Sequence, residues 1–96
     1  MSINAQITNV EDFYTPILTI IDDTGGEAPL EYICDRFFMR HKRQLDPSLL
    51  VEQEGKDPKW KEYLYRAGDD LAAKNYIRRP RPAIWELFTR QMRMGA

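Results

Sequence analysis

The stretch that decides the fold, residues 57–87, reads DPKWKEYLYRAGDDLAAKNYIRRPRPAIWEL. Asp57 and Pro58 resemble a helix N-cap followed by a proline at the first helical position, where its missing N–H is not needed. Apolar residues then recur with the period of one helix face, at Trp60, Leu64, Ala67 and Leu71. The sequence therefore predicts a long amphipathic helix 3.

The residues after helix 3 predict a two-stranded ribbon. A strand pattern at Tyr76–Arg79 is followed by the basic turn 80–82 and by a second strand pattern at Ala83–Leu87. Tyr76 and Trp85 are expected to close the core beneath this ribbon. A helix that leads into an arginine-tipped ribbon is the C-terminal half of a winged helix-turn-helix, so we expect an α+β fold with three helices and a two- or three-stranded wing.

Two further helices precede this segment. Helix 1 is expected near Asn9, where Asn9 and Asp12 form a plausible cap, or else to begin with Thr15 as cap and Pro16 at the first position. Gly25-Gly26 ends it, because glycine adopts the left-handed conformation without a steric penalty. Helix 2 is expected to open at Pro29 and to end in a basic cluster at 40–43. Its core-facing residues are Leu30, Ile33, Cys34, Phe37 and Phe38.

A long connection, residues 44–57, separates helices 2 and 3. Asp46-Pro47 repeats the cap-then-proline pattern, so residues 47–52 are expected to form a short helix that places Leu49 and Leu50 on the core. A small third strand is expected at Glu27-Ala28. The expected organisation is a flexible tail over 1–8, one winged-helix domain over 9–89 and a C-terminal tail over 90–96.

The charges are unevenly distributed along the 96 residues. The net charge is −1, which argues against avid, indiscriminate binding to polyanions. Residues 1–35 carry seven acidic side chains and no basic one, whereas residues 36–96 carry all 14 Lys and Arg against eight acids. This asymmetry indicates one basic face on an otherwise acidic body, although charge also segregates by chance in a small protein.

Composition predicts a cytoplasmic protein that is not an enzyme. No apolar run is long enough to span a bilayer, no secretory signal is evident, and the single Cys34 is expected in the core. Cys34 is not expected to be a catalytic thiol, because the lone His41 lies just past the end of the same helical stripe and no third group is evident. Glu54-Gly55-Lys56 matches the end of a metal-dependent nuclease motif, but a solvated loop is the simpler interpretation of three letters without a flanking strand. We expect no metal and no cofactor.

Nearly the whole chain, about Phe13 to Thr89, resembles the N-terminal winged-helix domain of Mrr-type restriction endonucleases. The matching features are Thr15-Pro16-Ile17-Leu18, Gly25-Gly26-Glu27-Ala28, the connection 45–50, Trp60 at the start of helix 3, the segment 70–77, and the wing from Arg78 to Leu87. The resemblance implies DNA binding as the targeting part of a larger system. The chain departs from the family at Pro82-Ala83, where glycine is usual, and at Gly68 and Asp69, where basic residues are more common.

Two surfaces are the candidate DNA-binding sites. The face of helix 3 opposite its apolar stripe presents Lys59, Glu62, Tyr65, Arg66, Asp69 and Ala73. Glu62 could accept a hydrogen bond from cytosine and Arg66 could bind guanine, whereas the alternative is a solvated face of balanced ion pairs. The wing presents Arg78, Arg79 and Arg81, whose planar groups suit phosphates and narrow grooves; protection of the hairpin edge is the alternative role.

Four further cations extend this surface in the prediction: Lys42, Arg43, Arg90 and Arg93. Contact with about four to six phosphates would give a salt dependence, log K against log salt, of about −4 to −5. We therefore expect a stand-alone winged helix that binds double-stranded DNA, a small regulator or DNA-recognition subunit that acts as a homodimer. The alternative is a winged helix that binds proteins and lacks significant DNA affinity.

Overall fold

The computed structural model describes residues 7–52, 54–81 and 83–88. Over these ranges the chain forms three α-helices and one three-stranded antiparallel sheet, an α+β arrangement in the predicted order. The elements are α1 (Tyr14–Asp23), β1 (Glu27–Pro29), α2 (Leu30–His41), α3 (Lys59–Ala73), β2 (Ile77–Arg81) and β3 (Ile84–Leu87). No helix in the described ranges has the length and apolar character needed to cross a membrane.

The first helical segment starts at the earlier of the two predicted positions, although its first turn is a 3-10 turn and the α-helix itself begins at Tyr14. A 3-10 turn, Val10–Phe13, leads directly into α1. The Asp12 carboxylate accepts hydrogen bonds from the backbone N–H groups of Thr8 and Asn9, at 2.9 and 3.0 Å, and these bonds lower the pKa of Asp12. The helix ends as predicted, because Gly25 and Gly26 both have positive φ, 93° and 109°.

Both proline-led starts lie one residue later than predicted. Pro29 and Pro58 are extended N-cap residues, with ψ of 145° and 156°, and the helices begin at Leu30 and Lys59. Pro29 belongs instead to β1, where it pairs with Ile84. A proline-first signal therefore locates these helices to within one residue.

The apolar stripe of α3 faces the core as predicted: Leu64, Ala67 and Leu71 are fully buried and Trp60 nearly so. The ring of Phe37 stacks between Phe13 and Trp60, with centroid distances of 4.8 and 5.6 Å. These aromatic contacts join the 3-10 turn before α1 to α2 and α3 around one centre.

Three predictions about the edge of this core are wrong. Pro47–Leu50 forms a single 3-10 turn that buries Leu49 but leaves Leu50 exposed, because so short a turn cannot point consecutive side chains the same way. Tyr76 is 40% exposed, since it precedes β2 in the turn after α3. Ile7, predicted to lie in the flexible tail, is buried. Its backbone N–H donates to the backbone carbonyl of Gln44, and its carbonyl accepts from the backbone N–H of Asp46.

The sheet has the strand order β1-β3-β2, so the predicted third strand is present and pairs with the ribbon. Ala28 lies opposite Trp85, and Glu86 lies between Glu27 and Arg78. The register of β2 slips between Arg78 and Arg81, which is a bulge in the edge strand. The sheet therefore joins a strand that precedes α2 to two strands that follow α3.

The wing packs on α3 through an unusually close contact between Trp85 and Gly68. Gly68 is buried in the middle of the helix, and a Cβ placed there would lie 2.7 Å from both Cζ2 and Cζ3 of the Trp85 ring. Real Cβ atoms do not approach another carbon so closely. A helical glycine normally lowers stability, so its presence here follows from the space that the indole ring needs.

We predict that Gly68→Ala destabilises the protein by about 1–3 kcal/mol, because the added methyl group overpacks the contact with Trp85. The direction of the change in stability is diagnostic, since Gly→Ala at an open helical position stabilises a protein by about 1 kcal/mol. Urea unfolding followed by circular dichroism measures the difference. A Gly68→Ala protein as stable as the wild type would show that the ring does not lie on this glycine.

A double-mutant cycle isolates the contact. In a Trp85→Leu background the smaller side chain leaves room for the methyl group, so Gly68→Ala is expected to be neutral or stabilising there.

Candidate functional site

The face of α3 opposite the apolar stripe is open to solvent. Glu62, Tyr65, Arg66 and Asp69 are exposed along it, as is Ala73, while Lys59 is half-buried at its start. Helical spacing brings these side chains onto one continuous strip. The structure thus brings together the helix 3 residues that the sequence selected.

The charges on this strip are only partly compensated. Within the described residues, neither Lys59 nor Arg66 forms an ion pair, and Glu62 forms none either. Asp69 is bound to a wing arginine. Two cations and one carboxylate therefore remain available for a partner.

Each wing arginine is paired with a carboxylate of the domain. Arg78 lies 3.1 Å from Glu86, its cross-strand neighbour. Arg79 donates to Asp69 on α3 at 2.7 Å, and its guanidinium carbon lies 5.9 Å from the centre of the Trp85 ring. The Arg81 guanidinium is 3.9 Å from the carboxylate of Glu27 on β1, the loosest of the three pairs.

None of these three pairs was predicted from the sequence, and two of them join positions far apart in the chain. Asp69 precedes Arg79 by ten positions and Glu27 precedes Arg81 by 54, so no local spacing links them. The adjacent Asp70 faces α1 instead, where it accepts a hydrogen bond from the Tyr14 hydroxyl that raises the pKa of Tyr14 to about 12. The two aspartates therefore have distinct roles, and only Asp69 belongs to the candidate surface.

The wing pairs are exposed and weak. The side chains of Arg78 and Arg81 are 58% and 69% exposed, and Arg79 is 35% exposed. Ion pairs of this kind contribute about 0–1 kcal/mol, because water and salt screen them. A DNA phosphate can displace such a carboxylate, but the two must compete for the same arginine.

Three depressions lie along this surface. One, of about 550 Å³, lies where the end of α3 meets β2, and Asn75, Arg78 and Arg79 are among its lining residues. Two others flank Glu62 at the start of α3. The first is lined by Gly55, Lys56, Asp57, Pro58, Glu62 and Tyr65, and the second by Ser48, Val51, Lys59 and Glu62.

Tyr65 and Val51 give the two depressions beside Glu62 a mixed character. Tyr65 is 38% exposed and Val51 is 58% exposed. Desolvation raises the pKa of Tyr65. This end of the surface presents apolar groups beside charges of both signs.

The structure does not bring Lys42 and Arg43 to the wing. Lys42 lies 5.6 Å from the Phe38 ring, which stacks on Trp60 in the first turn of α3. The wing contacts α3 at Asp69, nine residues and about 14 Å further along the helix. Arg43 is exposed in the same turn as Lys42. The remaining predicted cations, Arg90 and Arg93, lie outside the described residues.

The groups considered for catalysis occupy ordinary structural positions. Burial raises the pKa of the Cys34 thiol to about 11, and the His41 Nδ1 lies 2.6 Å from the Gln44 amide oxygen. Glu54-Gly55-Lys56 is exposed in a turn with positive φ at Glu54 and Gly55, not on a strand. Within the ranges described, no three His, Cys, Asp or Glu residues cluster as metal ligands.

Comparisons with protein-family models, with curated proteins and with solved structures gave no match for this chain.

We predict that Cys34 reacts with a disulfide reagent such as DTNB at pH 8 about 100-fold more slowly in the folded protein than in urea. A pKa of about 11 leaves only a small fraction of thiolate, and the side chain is buried. Free model thiol under both conditions is the control. Equal rates in native buffer and in urea would contradict the core assignment.

Proposed function

We propose that this chain is a winged-helix protein that binds double-stranded DNA. The exposed face of α3 would enter the major groove, while the wing would follow the backbone or the minor groove. Three helices with a three-stranded antiparallel sheet are compatible with this architecture. The helix supplies base-contacting side chains in Glu62 and Arg66, and the wing supplies guanidinium groups.

The observation that carries this proposal is the junction between α3 and the wing. Trp85 packs on Gly68, and the next residue on the helix, Asp69, binds Arg79 of β2. The wing arginines are thereby held beside the exposed strip of α3. A duplex approaching the helix would meet the wing in the same encounter.

The charges indicate that the sequence-independent part of the binding is weak. Three carboxylates accompany the three wing guanidinium groups, so Lys59 and Arg66 remain as the uncompensated cations of this surface in the part of the chain that the structure describes. Two such cations correspond to a slope of log K against log salt of about −2, shallower than four to six phosphate contacts would give.

A second candidate is a winged helix that binds another protein. The specific observation in its favour is the pairing of all three wing arginines with carboxylates, which leaves no strongly positive ridge on the wing. The depressions beside Glu62, with Val51 and Tyr65 exposed, suit a mixed polar and apolar partner surface.

In the cytoplasm such a protein would serve as a small regulator or as the DNA-recognition subunit of a larger system. A monomer of this size contacts few base pairs, so we expect a symmetric dimer on a two-fold site. Sedimentation equilibrium with and without a selected duplex would measure the dimer directly.

The deciding experiment compares wild type with Arg78→Ala/Arg79→Ala/Arg81→Ala in a mobility-shift titration of a mixed DNA pool. At about 50 mM salt the wild type is expected to shift the pool. The triple variant is expected to bind at least about tenfold more weakly, because it leaves the carboxylates of Glu27, Asp69 and Glu86 uncompensated beside the phosphates. An absent shift, or one indifferent to the triple substitution, would favour the protein-binding candidate.

A charge-matched control separates the wing from net charge. Arg36→Ala/Arg40→Ala/Lys61→Ala also removes three cations, from α2 and from the first turn of α3. It is expected to weaken binding much less than the wing variant. An equal loss in both variants would mean that overall charge, not the wing, determines affinity.

A further inference from the structure

The three carboxylates on the wing arginines come from three separate elements. Glu27 lies on β1, Asp69 on α3 and Glu86 on β3, yet each lies within 4 Å of one wing guanidinium. In β-sheet register, Glu86 lies directly between Arg78 and Glu27. The fold thus assembles a matched set of counterions around the wing.

This arrangement has an electrostatic cost of its own. Glu27 and Glu86 are like charges directly opposite each other on neighbouring strands, which is unfavourable unless cations lie beside them. Arg81 and Arg78 supply those cations. The three wing arginines and their three carboxylates together therefore carry no net charge.

Neutral pairing changes what a duplex gains from the wing. Sequence-independent affinity for DNA comes from cations that replace counterions on the phosphates. A guanidinium already paired to a carboxylate gives little of that gain, because the carboxylate must be displaced or remain close to the phosphate. Arg78 and Arg79 each keep four N–H groups for directed hydrogen bonds, and Arg81, 3.9 Å from its carboxylate, keeps all five.

We propose that Glu27, Asp69 and Glu86 are specificity-determining residues that suppress sequence-independent DNA binding by the wing. This inference rests on the proposed function. DNA that offers good contacts to α3 compensates for opening the three pairs, whereas DNA without those contacts does not. The carboxylates reduce the affinity for random sequences more than the affinity for a cognate site.

The depression at the end of α3 is the place where the released guanidinium groups would meet a phosphate. Arg78 and Arg79 both line it, beside Asn75. Glu86 and Asp69 each hold one of these two arginines. Loss of the two carboxylates leaves two free guanidinium groups in this depression, where they can bind a DNA phosphate.

The test measures binding of a random-sequence 20-base-pair duplex by fluorescence anisotropy across about 50–200 mM salt. Glu27→Gln/Asp69→Asn/Glu86→Gln keeps the shapes and removes three negative charges. It is expected to bind at least about tenfold more tightly than wild type at 50 mM salt, with a slope of about −4 to −5 in place of about −2. Circular dichroism confirms that the variant is folded.

Two controls complete the design. Glu11→Gln/Asp35→Asn/Glu54→Gln makes the same change in net charge at exposed positions that form no ion pair with a wing arginine. It is expected to strengthen binding about threefold at most. Adding Arg78→Ala/Arg79→Ala/Arg81→Ala to the first variant is expected to abolish its gain.

The outcomes separate this inference from the proposed function. If wild type binds through its wing arginines but the wing carboxylate variant gains no more than the control, the inference is wrong and the proposed function stands. If only the carboxylate variant binds, through those arginines, the carboxylates do suppress binding and the wild type is not a DNA-binding protein. If no variant binds, both are wrong.

Discussion

The contact between Gly68 and Trp85 is the constraint on which the rest of the structure depends. Without a side chain at 68, the indole ring lies against the backbone of α3 and is almost fully buried. The same tryptophan lies opposite Ala28, which places β1 beside β3 in the sheet. A methyl group at the crossing would separate the layers, because cores at this density accommodate extra volume only by moving.

The electrostatics of the surface follow from that closeness. Asp69 follows Gly68 in the helix and binds Arg79, while the ring of Trp85 lies beneath the same guanidinium. The close contact that would let the wing bind DNA together with α3 also places a carboxylate of the domain beside a wing arginine. The proposed DNA binding is consequently modest in affinity and selective, with a shallower salt dependence than the four to six phosphate contacts expected from the sequence would give.

Periodicity and turn chemistry predicted much of the fold, because they are local. The α3 stripe, the double-glycine stop and the small third strand needed only neighbouring residues. From the sequence, Gly68 stands out only as a departure from the family that the chain resembles, although a glycine beside the core stripe and a later tryptophan are signals of close packing. The pair of Arg81 with Glu27 could not be predicted, since only the sheet register joins positions 54 residues apart.

The most direct test of a single surface formed by α3 and the wing is a ¹⁵N-resolved NMR titration with a short duplex. We predict that backbone amides of the helix strip, Glu62 to Asp69, and of the wing, Arg78 to Arg81, shift together with one dissociation constant. Shifts confined to one of these segments, or to the acidic surface of α1, would contradict it.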